Sequence, residues 1–295
     1  MTPTLVRQHP SHADPAPRVD LSARARDWSE IQERMLVPLY EAVYDRLEVG
    51  PATRLLGLRC GSGLALLMAA SRGAAITGAD SASPERLALA RERLLPDPSP
   101  GGRHGTHART AAKLVDGPPA EAADADGADA ETATYTLVTA FEPIGGLAGD
   151  SEGLGELLAG ALPLAARGAA VVLAGWGPPE RCATSSVLRV AAKLADPLRG
   201  ARSWRPARRD DLEEVAGRAG LKPDGSGRVA CPFGYADLDS AVRGLLSTGL
   251  FDAAITATDA KQVDKELTEA LHPHRRPDGT VWMPNVFRYL IARVP

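Results

Sequence analysis

The stretch that most constrains the fold is Thr53-Arg-Leu-Leu-Gly-Leu-Arg-Cys-Gly-Ser-Gly63, with the run Leu64 to Arg72 behind it. A short apolar run enters a turn with glycines at 61 and 63, and Leu64, Leu67 and Met68 then repeat at helical spacing among alanines. The pattern predicts a strand, a glycine turn and a helix. Gly61 and Gly63 suit a turn that needs positive φ and lets a ligand approach the main chain in front of a helix N-terminus. A second apolar run, Ala74 to Ala79, ends at Asp80. That acid falls at the carboxyl end of the next parallel strand, where doubly wound folds commonly hold a ribose diol.

The choice of ligand follows from what the turn lacks. A dinucleotide fingerprint aligned on Gly61 and Gly63 wants a third small residue at position 66, which is Leu66, and no Lys-Ser/Thr pair follows for a triphosphate. The word Gly57-Leu-Arg59-Cys60-Gly61-Ser-Gly63 resembles the first motif of the class I S-adenosylmethionine (SAM)-dependent methyltransferases, an acid and any residue followed by Gly-x-Gly-x-Gly. The second and third glycines match, while Gly57 stands in place of the acid and Arg59 in place of the first glycine. Asp80-Ser81-Ala-Ser-Pro84 and the Leu-Ala-Arg helix after it resemble the family's next segment.

The resemblance implies a doubly wound, Rossmann-like α/β fold with a seven-stranded sheet, an N-terminal helix and a helical lid. It implies SAM as cofactor, held by Gly57, Arg59, Cys60, Gly61, Gly63, Asp80, Ser81, Ala111 and Phe141. Ala111 enters because the family's adenine-binding acid follows the third strand, which reads best as Thr106 to Ala112; Asp116 is the substitute from the loop beyond. Without carboxylates at Gly57 and Ala111, SAM is expected to bind weakly or not at all. Arg59 either fills the methionyl space, which favours an anionic ligand, or turns away to a surface acid.

The rest of the chain narrows the class. A formal net charge of −3 argues against nucleic acid as the main partner. Cys60, Cys182 and Cys231 are widely spaced without histidines at metal-ligand intervals, and read as reduced thiols in the cytoplasm. His104 and His107 lack further ligands, so no metal is expected. No apolar segment is long enough to span a bilayer, and residues 1–22 read as a disordered arm without a signal-peptide core. Residues 23–295 then form one domain with a lid over about 180–275.

Asp27 to Leu47 has apolar residues at spacings of three and four and predicts one amphipathic helix, bent at Pro38. Trp28 and Tyr40 on it are pocket candidates, against the alternative of packing on the sheet. Thr134 to Phe141 predicts a buried fourth strand, Gly168 to Gly175 a fifth, and Val281 to Val294 the last. Glu142, His272 and His274 are the candidate bases. The segments Gly175 to Cys182, Cys231-Pro-Phe-Gly-Tyr235, Pro277-Asp278-Gly279 and Asn285 to Tyr289 resemble an actinobacterial branch of small-molecule methyltransferases. That resemblance adds Trp176 and Tyr235 as pocket residues. Two readings remain open: SAM-dependent methylation of a small metabolite, or a methyltransferase-fold protein that no longer uses SAM and serves as a binding, regulatory or scaffold protein.

Overall fold

The computed structural model describes residues 20–95, 112–124, 135–146, 149–195, 208 and 210–295. Most of the expected arm, Ala111, His104 and His107 lie outside them. Leu21 and Ser22, counted with the arm, are already helical, because the Asp20 carboxylate caps helix α1, Leu21–Asp27, by accepting from Ala23 N at 3.0 Å.

The amphipathic run does not form one helix bent at Pro38. A π-helical turn, Trp28–Gln32, and a 3-10 stretch, Glu33–Leu36, separate α1 from helix α2, Val37–Arg46. Pro38 lies in the first turn of α2, where its missing N–H leaves no bond unmade. The irregularity precedes it and falls on residues that reach the site.

Strand β1, Arg54–Leu58, passes through the glycine turn into α3, Leu64–Ser71. Strand β2, Ala75–Ala79, leads into α4, Pro84–Leu94, which Ser83 Oγ caps by accepting from Arg86 N. The described part of strand β3 is Ala112–Val115, which runs past the expected end at Ala112, and the residue that follows its carboxyl end is Asp116. Strand β4, Tyr135–Ile144, helix α5, Asp150–Ala161, and strand β5, Ala165–Trp176, follow. Next come α6, Thr184–Ala195, α7, Asp211–Arg218, β6, Lys222–Ala230, and β7, Phe233–Tyr235. Helices α8, Leu238–Ser247, α9, Asp252–Ala257, and α10, Ala260–Leu271, precede β8, Val281–Met283, and β9, Val286–Arg293. The single final strand read from the sequence is therefore interrupted at Pro284-Asn285, where Asn285 Oδ1 accepts from Thr184 N at 3.1 Å.

The main sheet has seven strands in the order β3-β2-β1-β4-β5-β9-β6, parallel except that β9 runs against both its neighbours. The small strands β7 and β8 pair separately. Alternation along the strands divides the apolar residues between two cores. Leu55, Leu137, Val172 and Phe287 face α2, α3 and the lid helices, while Leu56, Val138, Leu173 and Leu290 face α5 and α7. The segment expected as a lid is divided in the same way. α7 and β6 belong to the sheet body, whereas α8 packs on the Trp28–Gln32 turn and α9 and α10 pack on α6. β1 continues outward to β2 on one side and pairs with β4 on the other, so a crevice opens at their carboxyl ends.

Candidate functional site at the carboxyl edge of the sheet

The glycine turn has the backbone its sequence predicts. Gly61 and Gly63 have φ of 57° and 78°, and Gly63 caps α3 in the left-handed region. Arg59 shares that region at φ 46°, a conformation the glycine of the related motif adopts without strain. Its guanidinium turns to Glu142 at the end of β4, Nη1 to Oε2 2.9 Å, and both groups are part exposed. Arg59 thus pairs with an acid that itself lines the crevice, so it neither turns off the site to a surface acid nor stands free for an anion, and the pair walls the first two cavities.

Asp80 is buried at the end of β2, 4 % exposed. Its Oδ2 accepts from Gly61 N at 3.0 Å and its Oδ1 from Ala82 N at 2.8 Å, which ties the second strand to the turn. Burial raises its pKa above the ordinary carboxylate value, the two amide bonds pull it back down, and the nearby Glu142 charge adds to the rise.

The N-terminal segment closes this crevice from above. Trp28 Nε1 lies 3.2 Å from where a Cβ on Gly61 would stand, and it is buried without a hydrogen-bond partner. The Arg86 guanidinium lies over the Trp28 ring at 4.2 Å and donates to Ser247 O at 2.6 Å. Glu33, 2 % exposed, accepts from Ser62 Oγ, from Arg93 Nη1 at 3.0 Å and from Leu64 N at 3.4 Å. Its Oε1 stands 3.4 Å from the same Cβ position on Gly61. A carboxylate and an indole donor, both from the irregular turns before α2, therefore flank the glycine turn. Tyr40 packs on Phe141 with ring centroids 4.8 Å apart, and burial raises its hydroxyl pKa well above the usual value.

Three cavities meet here. The first, about 50 Å³, is lined by the glycine turn, Trp28, Glu33, Tyr40, Asp80, Arg86 and Phe141. The second, about 100 Å³, lies beyond the Arg59–Glu142 pair toward Leu154. The third, about 60 Å³, is aromatic, with Trp28, Trp176, Phe233 and Phe287 on its walls. Glu142 lines all three and Trp28 lines two. They are chambers of one crevice divided by side chains.

Of the residues predicted from sequence, Gly57, Arg59, Cys60, Gly61, Asp80, Phe141, Glu142, Trp28 and Tyr40 gather at the first cavity and Trp176 at the aromatic one. Gly63 shapes the turn without lining the cavity. Ser81 is exposed and outside it. Tyr235 is buried and lines none of the three cavities, but it backs the aromatic one, donating to Gln32 Oε1 at 2.9 Å and packing on Phe233, both of which are on that cavity's wall. His272 and His274 sit in a 3-10 turn beside β8, outside every cavity described, so they are not brought to the site. Asp116 is exposed and pairs with Arg91 at 3.9 Å. Sequence reasoning missed Glu33, Arg86, Thr139, Phe233 and Phe287. Among the described residues no cluster of three metal-ligating side chains occurs, and all three cysteines are free thiols.

No protein-family profile matches the sequence, and no characterised protein matches it significantly by sequence alone. Solved structures do match. A type II methyltransferase candidate from Anaeromyxobacter dehalogenans superposes with a TM-score of 0.50 at 18 % identity, covering 86 % of this chain and 95 % of its own. The YcgJ protein of Bacillus subtilis gives 0.50 at 11 % identity, covering 86 % and 97 %. The chain has the class I methyltransferase fold. A SAM-dependent methyltransferase from Thiobacillus denitrificans, solved with S-adenosylhomocysteine, gives 0.49 at 16 % identity, covering 94 % and 99 %.

The methyltransferase fold makes SAM the group to test against these side chains. Asp80 suits the ribose hydroxyls, and the orphan Trp28 Nε1 is a buried donor that a ligand carboxylate at the glycine turn would satisfy. Gly57 offers no acid for the ligand ammonium, and a Cβ there would meet Leu66 Cδ2 at 2.9 Å; Glu33 places a carboxylate at the same turn from the opposite side. The residues fit the cofactor chemically. The space does not yet accommodate it, since ligand pockets offer roughly 300–1,000 Å³.

Proposed function

We propose that the protein binds SAM in the crevice at the carboxyl ends of β1, β2 and β4 and transfers its methyl group to a small-molecule acceptor in the aromatic chamber. The observation that carries this is Asp80, a buried carboxylate at the end of β2 locked to the glycine turn through Gly61 N. In this reading Asp80 accepts from the ribose, Glu33 replaces the acid absent at Gly57 as partner of the methionyl ammonium, and Trp28 Nε1 donates to the methionyl carboxylate. That relocation supports tighter SAM binding than the motif alone implies.

The cofactor would supply a methyl group on a sulfonium, and the chain would contribute alignment of the acceptor and exclusion of water. Glu142, common to the three chambers, is placed to take the proton of an acceptor hydroxyl or amine, with Arg59 holding its carboxylate. The aromatic wall suits a flat, apolar acceptor body. Membership in the actinobacterial small-molecule branch is part of the proposal; it is supported by Phe233 of the Pro-Phe-Gly-Tyr235 word on that wall and by the Pro277-Asp278-Gly279 turn, closed by Thr280 Oγ1 donating to Asp278 Oδ1 at 2.7 Å.

Calorimetric titration of S-adenosylhomocysteine into the wild type and the Asp80→Ala variant tests the assignment. Binding by the wild type and its loss in a folded Asp80→Ala protein is the expected result. Equal affinity in both would remove Asp80, and with it this reading of the crevice.

A further inference from the structure

Behind Trp176, on the far side from the glycine turn, lies a cleft of about 390 Å³ lined by Trp176, Glu180, Arg181, Arg208, Arg228 and Arg288. It is large enough for a small molecule, unlike the chambers at the turn. Its charge is not what a folded edge requires. Arg228 on β6 stands directly opposite Arg288 on β9, and like charges in such a cross-strand pair destabilise a sheet. Glu213 on α7 neutralises Arg288. No ion pair joins Arg228, Arg181 or Arg208 to a described carboxylate, and all three are exposed. Four arginines, on β6, on β9, after β5 and at position 208, therefore line one cleft, with Glu180 on its wall and Glu213 paired to Arg288. Guanidinium forks bind the paired oxygens of phosphate and carboxylate groups, and a concave surface with a net excess of positive charge concentrates such anions.

We propose that this cleft is a binding site for a small phosphorylated molecule. The Arg228–Arg288 pair contacts the anion, and Arg181 and Arg208 close over it. Trp176 is named on the walls of both this cleft and the aromatic chamber, but Arg288 and Phe287 are neighbours on β9 and face opposite sides of the sheet, so the anion site stands apart from the proposed acceptor chamber and does not depend on methyl transfer.

Calorimetry with inorganic pyrophosphate as probe, at low ionic strength on the full chain, tests the site. Arg228→Gln and Arg181→Gln change exposed side chains and should leave the fold intact; Arg218→Gln, an exposed arginine on α7 outside the cleft, controls for net charge. The expected result is saturable binding that weakens at least about tenfold in Arg228→Gln and less than about twofold in the control. The proposal is overturned by no pyrophosphate binding, by equal weakening in all three variants, or by binding to phosphatidylserine vesicles without binding to pyrophosphate, which would make the patch a membrane contact.

Discussion

Glu33 carries the most at the scale of single residues. It is buried, shares Arg93 and Ser62, and faces the glycine turn. Removing one member of a buried charged cluster leaves the other uncompensated and costs about 3 kcal/mol. Glu33→Ala is therefore expected to lower stability by about that amount in urea unfolding; a loss below about 1 kcal/mol would mean that the part-exposed Arg93 is solvated once the carboxylate is gone and is not left uncompensated. Asp80 gives a pH dependence of definite sign. Its folded pKa is raised above 3.8, mainly by burial, so the native chain holds this proton more tightly than the unfolded chain does. The protonated form thus adds stability that is present below the unfolded value and lost as pH rises through the raised folded value. Ligand binding runs the other way, because a ribose diol needs the ionised acceptor. S-adenosylhomocysteine affinity should begin to fall above pH ~4 on acidification, before an ordinary aspartate would titrate. Affinity that stays flat from pH 7 to 4 would contradict this role for Asp80.

Among the elements, the irregular segment Trp28–Leu36 decides whether the crevice can open. Its π and 3-10 turns lie between two regular helices, and it covers a cavity of only about 50 Å³. Hydrogen exchange on the unliganded protein should show amides 28–36 exchanging faster than those of α2, and S-adenosylhomocysteine should slow them. Protection equal to that of α2, unchanged by ligand, would mean that the segment does not lift. The same segment explains what sequence reading missed. Spacings of three and four placed Trp28 and Tyr40 inward, but on a continuous α-helix Glu33, five residues after Trp28, faces away from it. An i→i+5 turn brings such residues to the same side, and nothing in the sequence announces that turn. The third strand failed differently. Pro96 to Gly105 has no periodicity to set its register, and the described strand runs past the expected end at Ala112 to Val115, so the residue that follows it is Asp116. His272 and His274 were chosen by residue type alone, and the turn that follows α10 carries them away from the crevice.

For the whole molecule, the doubly wound order was legible because β1, β2, β4 and β5 are compact apolar runs buried on both faces, separated by helices of regular period. The glycine turn and Asp80 were legible because backbone torsion and strand ends restrict residue choice. The aromatic chamber and the arginine cleft were not, since Trp176, Phe287 and Arg288 meet Phe233 and Arg228 only through pairing of β9 with β5 and β6 and the return of β7 beside β8. The central claim is that the methionyl end of SAM is recognised by residues relocated to the N-terminal segment. Titration of S-adenosylhomocysteine and of adenosine into the full chain at neutral pH tests it most directly, because the two share the ribose contact and differ at the amino-acid end. The account predicts a dissociation constant for S-adenosylhomocysteine of about 1–100 µM, at least about tenfold tighter than adenosine. If S-adenosylhomocysteine binds the folded protein no more tightly than adenosine, Glu33 and Trp28 are not cofactor contacts and the claim is wrong.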